Sequence, residues 1–180
     1  MAALSGRTIL LGVSGSIASY KAAEVARRLM DQGASVTAVL TAGAQQFITP
    51  LTFTAITGHP ALTDSFALPT GTMPHLDLAK KASAVLVAPA SANTLARLAA
   101  GLADDLLTSI LLVTRAPIFL APAMHEPMWT HPATQRNVTT LKGFGHTLLG
   151  PARGDLASGD QGLGRMVEPE TIVAELIRAL

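Results

Sequence analysis

A chain of 180 residues and 18.6 kDa is sized for one hydrophobic core, because domains run to roughly 100 to 200 residues each. Hydrophobic residues reach 49% with a mean hydropathy of +0.40, which excludes intrinsic disorder, yet no unbroken apolar stretch approaches the ~18 residues of a membrane span. The 13 Lys and Arg are scattered and balanced by 12 Asp and Glu, which argues against a nucleic-acid-binding stripe, and the lack of cysteine excludes disulfides, thiolate metal sites and a thiol nucleophile.

Met1 to Thr8 carries one Arg and runs into a short apolar stretch, Ile9 to Leu11, without a signal-peptide cleavage site, so a cytoplasmic location is the expectation. Thr8 to Val13 is β-branched and aliphatic and ends in Ser14-Gly15-Ser16; Ala18, Ala22, Val25, Ala26 and Leu29 then recur at helical spacing up to Gly33. This predicts strand, glycine turn and helix. Ser35 to Leu40 predicts a second strand, followed by Thr41-Ala42-Gly43, a helix through Phe47 and another after Pro50. Leu76 to Ala82 is amphipathic. Ala84 to Ala88 and Pro117 to Ala121 predict a third and a fourth strand, with a weaker one at Thr147 to Leu149. Helices are expected from about Ala92 to Ala100, Asp104 to Val113, Pro132 to Lys142 and Pro169 to Leu180.

Short strands that are apolar on both faces belong in a parallel sheet covered by helices on both sides. Their alternation with helices implies a doubly wound α/β fold with right-handed crossovers, with no internal repeat. Charged residues form only 14% of the chain, against about 25% in an ordinary domain; the resulting apolar surface hints at oligomerisation.

Ligands of such folds lie beyond the carboxyl ends of the strands, which selects four segments. Gly12 to Ala18 offers small residues and free N–H groups at a helix N-terminus, either a phosphate site or a tight turn with an N-cap serine. It is neither a Walker sequence nor a full Gly-x-Gly-x-x-Gly. Thr41 either adds a hydroxyl to the same phosphate or caps the next helix. Pro89-Ala90-Ser91-Ala92-Asn93-Thr94 sets hydroxyl and amide groups where a buried strand emerges, with alanines small enough for a flat ring to approach; it reads equally as a polar helix start. In the fourth segment, Met124 and Met128 either pad a flavin ring or fill the core. His75, between Pro74 and Leu76, is either a proton-transfer group or a surface cap. His125 and His131 flank Trp129 without metal-ligand spacing, so no metal site is expected.

Taken together, these segments resemble the flavin-containing cysteine decarboxylases, and most closely the 4′-phosphopantothenoylcysteine decarboxylase domain of coenzyme A biosynthesis. The resemblance runs along nearly the whole chain, residues 1–180, as one domain. Its carriers are Gly15-Ser16-Ile17-Ala18, His75 with Leu76 and Leu78, Pro89 to Thr94, Gly101 to Leu107, Pro122-Ala123-Met124 with Met128-Trp129, and Gly159-Asp160 with Gly162 to Met166.

This resemblance implies a Rossmann-like, flavodoxin-like fold that binds FMN and assembles as trimers or dodecamers, with the active site at a subunit boundary. It implies that Ser14, Gly15, Ser16 and Thr41 surround the FMN phosphate with Phe47 close by, and that Ala90, Ser91, Asn93, Thr94 and Met124 hold the flavin. His75 is then the catalytic histidine, and His125, Met128 and Arg165 meet the substrate. In the family's reaction FMN oxidises the cysteinyl side chain to a thioaldehyde, carbon dioxide leaves to give an enethiolate, and the reduced flavin returns the electrons to yield 4′-phosphopantetheine. Bacterial relatives commonly carry a fused ligase that makes the substrate.

Two positions depart from the closest relatives. His125 stands where they have an asparagine that grips the substrate carboxylate, and a histidine can still donate that bond. Ser158 stands where they have a cysteine that protonates the product, and a hydroxyl is a far weaker acid than a thiol, whose reference pKa is about 8.5. That substitution motivates a second expectation, an oxidative decarboxylase that stops at the enethiol of a peptide C-terminal cysteine. A third is a flavin-binding regulatory subunit without catalysis, although the acidic tails of such relatives are absent here.

Overall fold

Alternation of side chains along Thr8–Val13 decides how the centre of the molecule is built. In the computed structural model, which describes residues 2–65, 73–157 and 159–180, this strand (β1) sends Ile9, Leu11 and Val13 to one face and Leu10 to the other, all buried. Gly12 shares the Leu10 face. A Cβ there would lie 2.6 Å from Leu107 Cδ1, so the missing side chain lets a helix settle on the strand.

The chain continues through α1 (Ser19–Asp31), β2 (Ser35–Leu40), a single 3-10 turn (Ala44–Gln46), α2 (Pro50–Thr57), α3 (Pro74–Lys81), β3 (Ala84–Ala90), α4 (Ala92–Ala99) and α5 (Leu106–Val113). Then follow β4 (Ile118–Pro122), α6 (Glu126–Thr130), α7 (Pro132–Gly143), β5 (Thr147–Leu148), β6 (Ala152–Asp155), β7 (Gln161–Arg165) and α8 (Pro169–Ala179). Strands pair in the order β2-β1-β3-β4-β5, all parallel, while β6 and β7 form a separate antiparallel hairpin. The expected doubly wound α/β fold is therefore present. Helices α1, α2 and α8 cover one face, burying Ala22, Val25, Leu29, Phe53, Ile172 and Leu176 with Ile9 and Leu11. On the other face α4, α5 and α7 bury Leu95, Leu98, Leu107, Ile110, Val138 and Leu141 against Leu10, Val85 and Val87.

Several boundaries differ from the sequence reading, each for a local reason. The third strand runs on to Ala90, which pairs with Pro122 after a register shift, so Pro89 lies inside the strand rather than after it. Helix α5 starts two residues later than expected, at Leu106: Asp105 Oδ1 accepts the Thr108 N–H at 2.8 Å and Thr108 Oγ1 accepts the Asp105 N–H at 3.2 Å, a reciprocal cap. The β6–β7 hairpin was not anticipated, because Ala-Arg-Gly-Asp and Gln-Gly-Leu-Gly-Arg carry no apolar alternation.

Asp105 does more than cap. Its second oxygen accepts from Arg97 Nη1 at 2.9 Å, tying α4 to α5, while Asp104 takes the other guanidinium nitrogens. Asp105→Ala is expected to cost about 1–2 kcal/mol and to lower the thermal midpoint by roughly 3–6 °C, read by calorimetry. An unchanged midpoint would mean that the cap contributes nothing.

Candidate active site

In a sheet of this order the crevice opens between β1 and β3, where successive connections leave in opposite directions. A cavity of about 620 Å³ lies there, walled by residues that follow β1, β3 and β4 and by the β6–β7 hairpin. Its volume falls in the usual range for small-molecule sites.

The first wall is the turn between β1 and α1. Ser14 Oγ donates to Pro89 O and accepts the Ser91 N–H, both at 2.8 Å, so this buried hydroxyl staples the ends of β1 and β3 together. Gly15 packs against Gly43: a Cβ on Gly15 would lie 3.0 Å from the Gly43 carbonyl carbon, and only glycine permits that approach. Beyond it, the N–H groups of Gly15, Ser16 and Ile17 have no acceptor among the described residues, and all three residues line the cavity. Helix α1 has no acidic residue in its first turn to compete with an anion there.

The second wall begins at Ser91, the N-cap of α4, whose Oγ accepts the Thr94 N–H at 3.3 Å. Ser91 and Ala92 face the cavity; Thr94 lies buried beneath them, and Asn93 is exposed outside the lining. Ala123, Met124, His125 and Met128 form the third wall. His125 Nε2 approaches Asp160 Oδ2 at 3.4 Å, a contact between this wall and the hairpin.

The fourth wall is cationic. Lys21 and Arg165 both line the cavity and both reach Glu168, with Lys21 Nζ at 3.0 and 2.9 Å from the two carboxylate oxygens. Lys21 is only 9% exposed, so its ammonium needs that partner. The Lys21 hydrogen bond, with Arg165 adding to it, holds the Glu168 carboxyl below the usual carboxylate range. A carboxyl held lower in the folded than in the unfolded chain stabilises the fold above the unfolded value near 4.3 and loses that contribution as pH falls through the folded one. Glu168→Gln is accordingly expected to lower the thermal midpoint at pH 7, with the gap to the unaltered protein closing as pH drops below the carboxylate range. A gap independent of pH would refute the pairing; its size is modest because Glu168 is half exposed.

Of the residues singled out from sequence, the structure brings Gly15, Ser16, Ser91, Met124, His125, Met128 and Arg165 around this one cavity. Ser14 and Ala90 lie buried behind the wall. Thr41 Oγ1 accepts the Ala44 N–H at 3.2 Å, capping the 3-10 turn, and Phe47 is exposed at that turn's end. His75 sits half-buried on α3, away from the lining, and Ser158 lies outside the described residues. Tyr20, Lys21, Asp155, Leu156 and Glu168 were not anticipated as site residues. Lys21 did leave a signal: it interrupts the apolar stripe of Ala18, Ala22 and Val25.

The profile of the Flavoprotein family matches residues 2–180. The chain is 50% identical over 176 residues to the coenzyme A biosynthesis bifunctional protein CoaBC of Vibrio cholerae, covering 97% of this chain and 44% of that protein. It is 47% identical to the CoaBC protein of Mycobacterium tuberculosis over 173 residues, covering 95% of this chain and 41% of that one. The chain thus spans less than half the length of these relatives. Among solved structures, a PPC decarboxylase variant complexed with pantothenoylaminoethenethiol superposes with a TM-score of 0.83 at 34% identity, covering 94% of this chain and 96% of that one. The FMN-dependent cysteine decarboxylase SpaF gives 0.83 at 32% identity, covering 98% of each.

Proposed function

The chain belongs to the Flavoprotein family, and from that premise we propose that it is an FMN-dependent carboxy-lyase converting 4′-phosphopantothenoylcysteine to 4′-phosphopantetheine in coenzyme A biosynthesis, in the cytoplasm. The observation that carries this reading is the cavity itself: Gly15, Ser16 and Ile17, in the turn leading into α1, have N–H groups without an acceptor among the described residues and line the same space of about 620 Å³ as an apolar wall.

These residues fit the cofactor. A phosphate is the guest suited to the Gly15, Ser16 and Ile17 N–H groups, and the tight Gly15–Gly43 contact keeps their turn close to the strand ends. Ala92 and Ala123 set small side chains in the cavity wall where a planar ring can approach, with Met124 and Ser91 in the same lining. Bound there, the flavin supplies a reversible two-electron sink that turns the substrate's cysteinyl end into a group able to lose its carboxylate. The chain's own side chains do the rest. His125, Lys21 and Arg165 offer donors to the substrate's anionic groups, and Met128 and Leu156 exclude water around its apolar middle.

His75 handles the proton. Because it stands on α3 outside its own chain's cavity, it serves a neighbouring subunit in a trimer, whose active site then lies at the boundary. Exposed Met73, beside it, and exposed Leu112 and Val113 on the packed helix α5 support a subunit contact there. In a longer natural protein the same domain would sit beside a ligase that supplies the substrate, as in the bifunctional relatives.

Serine at position 158 favours one second reading, release of an enethiol without the final reduction. Product mass separates this from the oxidative decarboxylation of a peptide C-terminal cysteine. The FMN-loaded protein is expected to release carbon dioxide from 4′-phosphopantothenoylcysteine and give the saturated 4′-phosphopantetheine; a product two hydrogens lighter would favour the second reading, and no release from this substrate would overturn the first.

A further inference from the structure

Gly162 and Gly164 in β7 have no left-handed backbone angles, so their missing side chains serve no turn. What they leave is room. A Cβ on Gly162 would lie 2.6 Å from Glu126 Oε2 and 3.0 Å from Glu126 Cβ, and one on Gly164 would run into the Met124 carbonyl oxygen. Across this bare strip, Glu126 Oε1 accepts the Leu163 N–H at 3.0 Å and the Met124 N–H donates to Gly164 O at 3.0 Å. From the other strand of the hairpin, Arg153 brings Nη2 within 3.7 Å of the same carboxylate oxygen.

A two-stranded hairpin has little stability of its own in water, so its place must be fixed from outside. Among the described residues the β6–β7 hairpin pairs with no strand of the main sheet, yet it supplies Asp155, Leu156 and Arg165 to the cavity. Glu126, from outside the hairpin, is a charged group that touches both of its strands, and a hydrogen bond to a carboxylate is about twice as strong as one between neutral groups. We infer that Glu126 is a positioning residue: it moors the hairpin as a wall of the active site and so sets where Arg165 meets the substrate. The consequence for substrate rests on the decarboxylase reading above; the mooring does not.

Amide hydrogen exchange at Leu163 in the FMN-loaded protein, without substrate, tests the mooring. Glu126→Ala is expected to speed that exchange about tenfold, whereas Glu126→Gln, whose amide oxygen still accepts the bond, stays within about threefold of the unaltered chain. Unchanged exchange in Glu126→Ala, or equal acceleration in both variants, overturns the inference. Steady-state carbon dioxide release then reads the consequence: KM for 4′-phosphopantothenoylcysteine rises about fivefold or more in Glu126→Ala while kcat changes less, and is rescued in Glu126→Gln. Faster exchange with an unaltered KM overturns the role at the substrate site. An unaltered chain that releases no carbon dioxide defeats the decarboxylase reading and leaves the mooring to the exchange result.

Discussion

His75→Asn is expected to lower carbon dioxide release from 4′-phosphopantothenoylcysteine at least about a hundredfold while leaving the flavin spectrum and the thermal midpoint unchanged. The side chain is half-buried on α3 and makes none of the contacts that hold the cavity together, so its loss removes a proton-transfer group and little else. Its place outside the lining of its own chain's cavity adds a stronger test. Co-expression of His75→Asn with Lys21→Met, each inactive alone, should restore about a quarter of the unaltered activity, because mixed trimers contain boundaries that combine an intact cavity with an intact histidine. Activity retained in His75→Asn would remove the residue from the reaction, and failure to complement would place the whole site within one chain.

Gly164→Ala is expected to be the most damaging single methyl in the hairpin. The new Cβ would collide with the Met124 carbonyl, a backbone atom with nowhere to go, and the Met124 N–H···Gly164 O bond would open. The hairpin then lifts from residues 124–126, taking Arg165 with it. A stability loss of about 2–3 kcal/mol and a KM for substrate raised about tenfold are expected, read by denaturant unfolding and steady-state kinetics. Gly143→Ala is the control. Nothing lies within 4 Å of its Cβ and it ends helix α7, so alanine there should be neutral or slightly stabilising. Equal effects of the two substitutions would contradict the assigned contact.

The central sheet is legible because its signals are local: four continuous apolar runs alternate with helices whose apolar residues recur at a period of 3.6, and the strand ends then select the crevice. Gly15, Ser16 and Ser91 were found in this way. The remainder depends on contacts distant in sequence. Lys21 interrupts an apolar stripe, but its role depends on Glu168, 147 residues away, which binds its ammonium. Gly162 to Met166 carries part of the family resemblance, but what its glycines do with Glu126 becomes visible only when the hairpin folds back over the loop after β4. Ser14 shows the converse. Its hydroxyl sits at the expected place, yet it joins two strand ends rather than facing the cavity.

The claim on which everything else depends is that the N–H groups of Gly15, Ser16 and Ile17 grip the phosphate of FMN. Titrating the flavin-free protein with FMN and with riboflavin, followed by flavin fluorescence, tests it directly. FMN is expected to bind stoichiometrically and riboflavin at least about a hundredfold more weakly, the worth of several charge-assisted bonds at a helix N-terminus. Equal affinity for the two flavins, or no binding of either, would contradict the account.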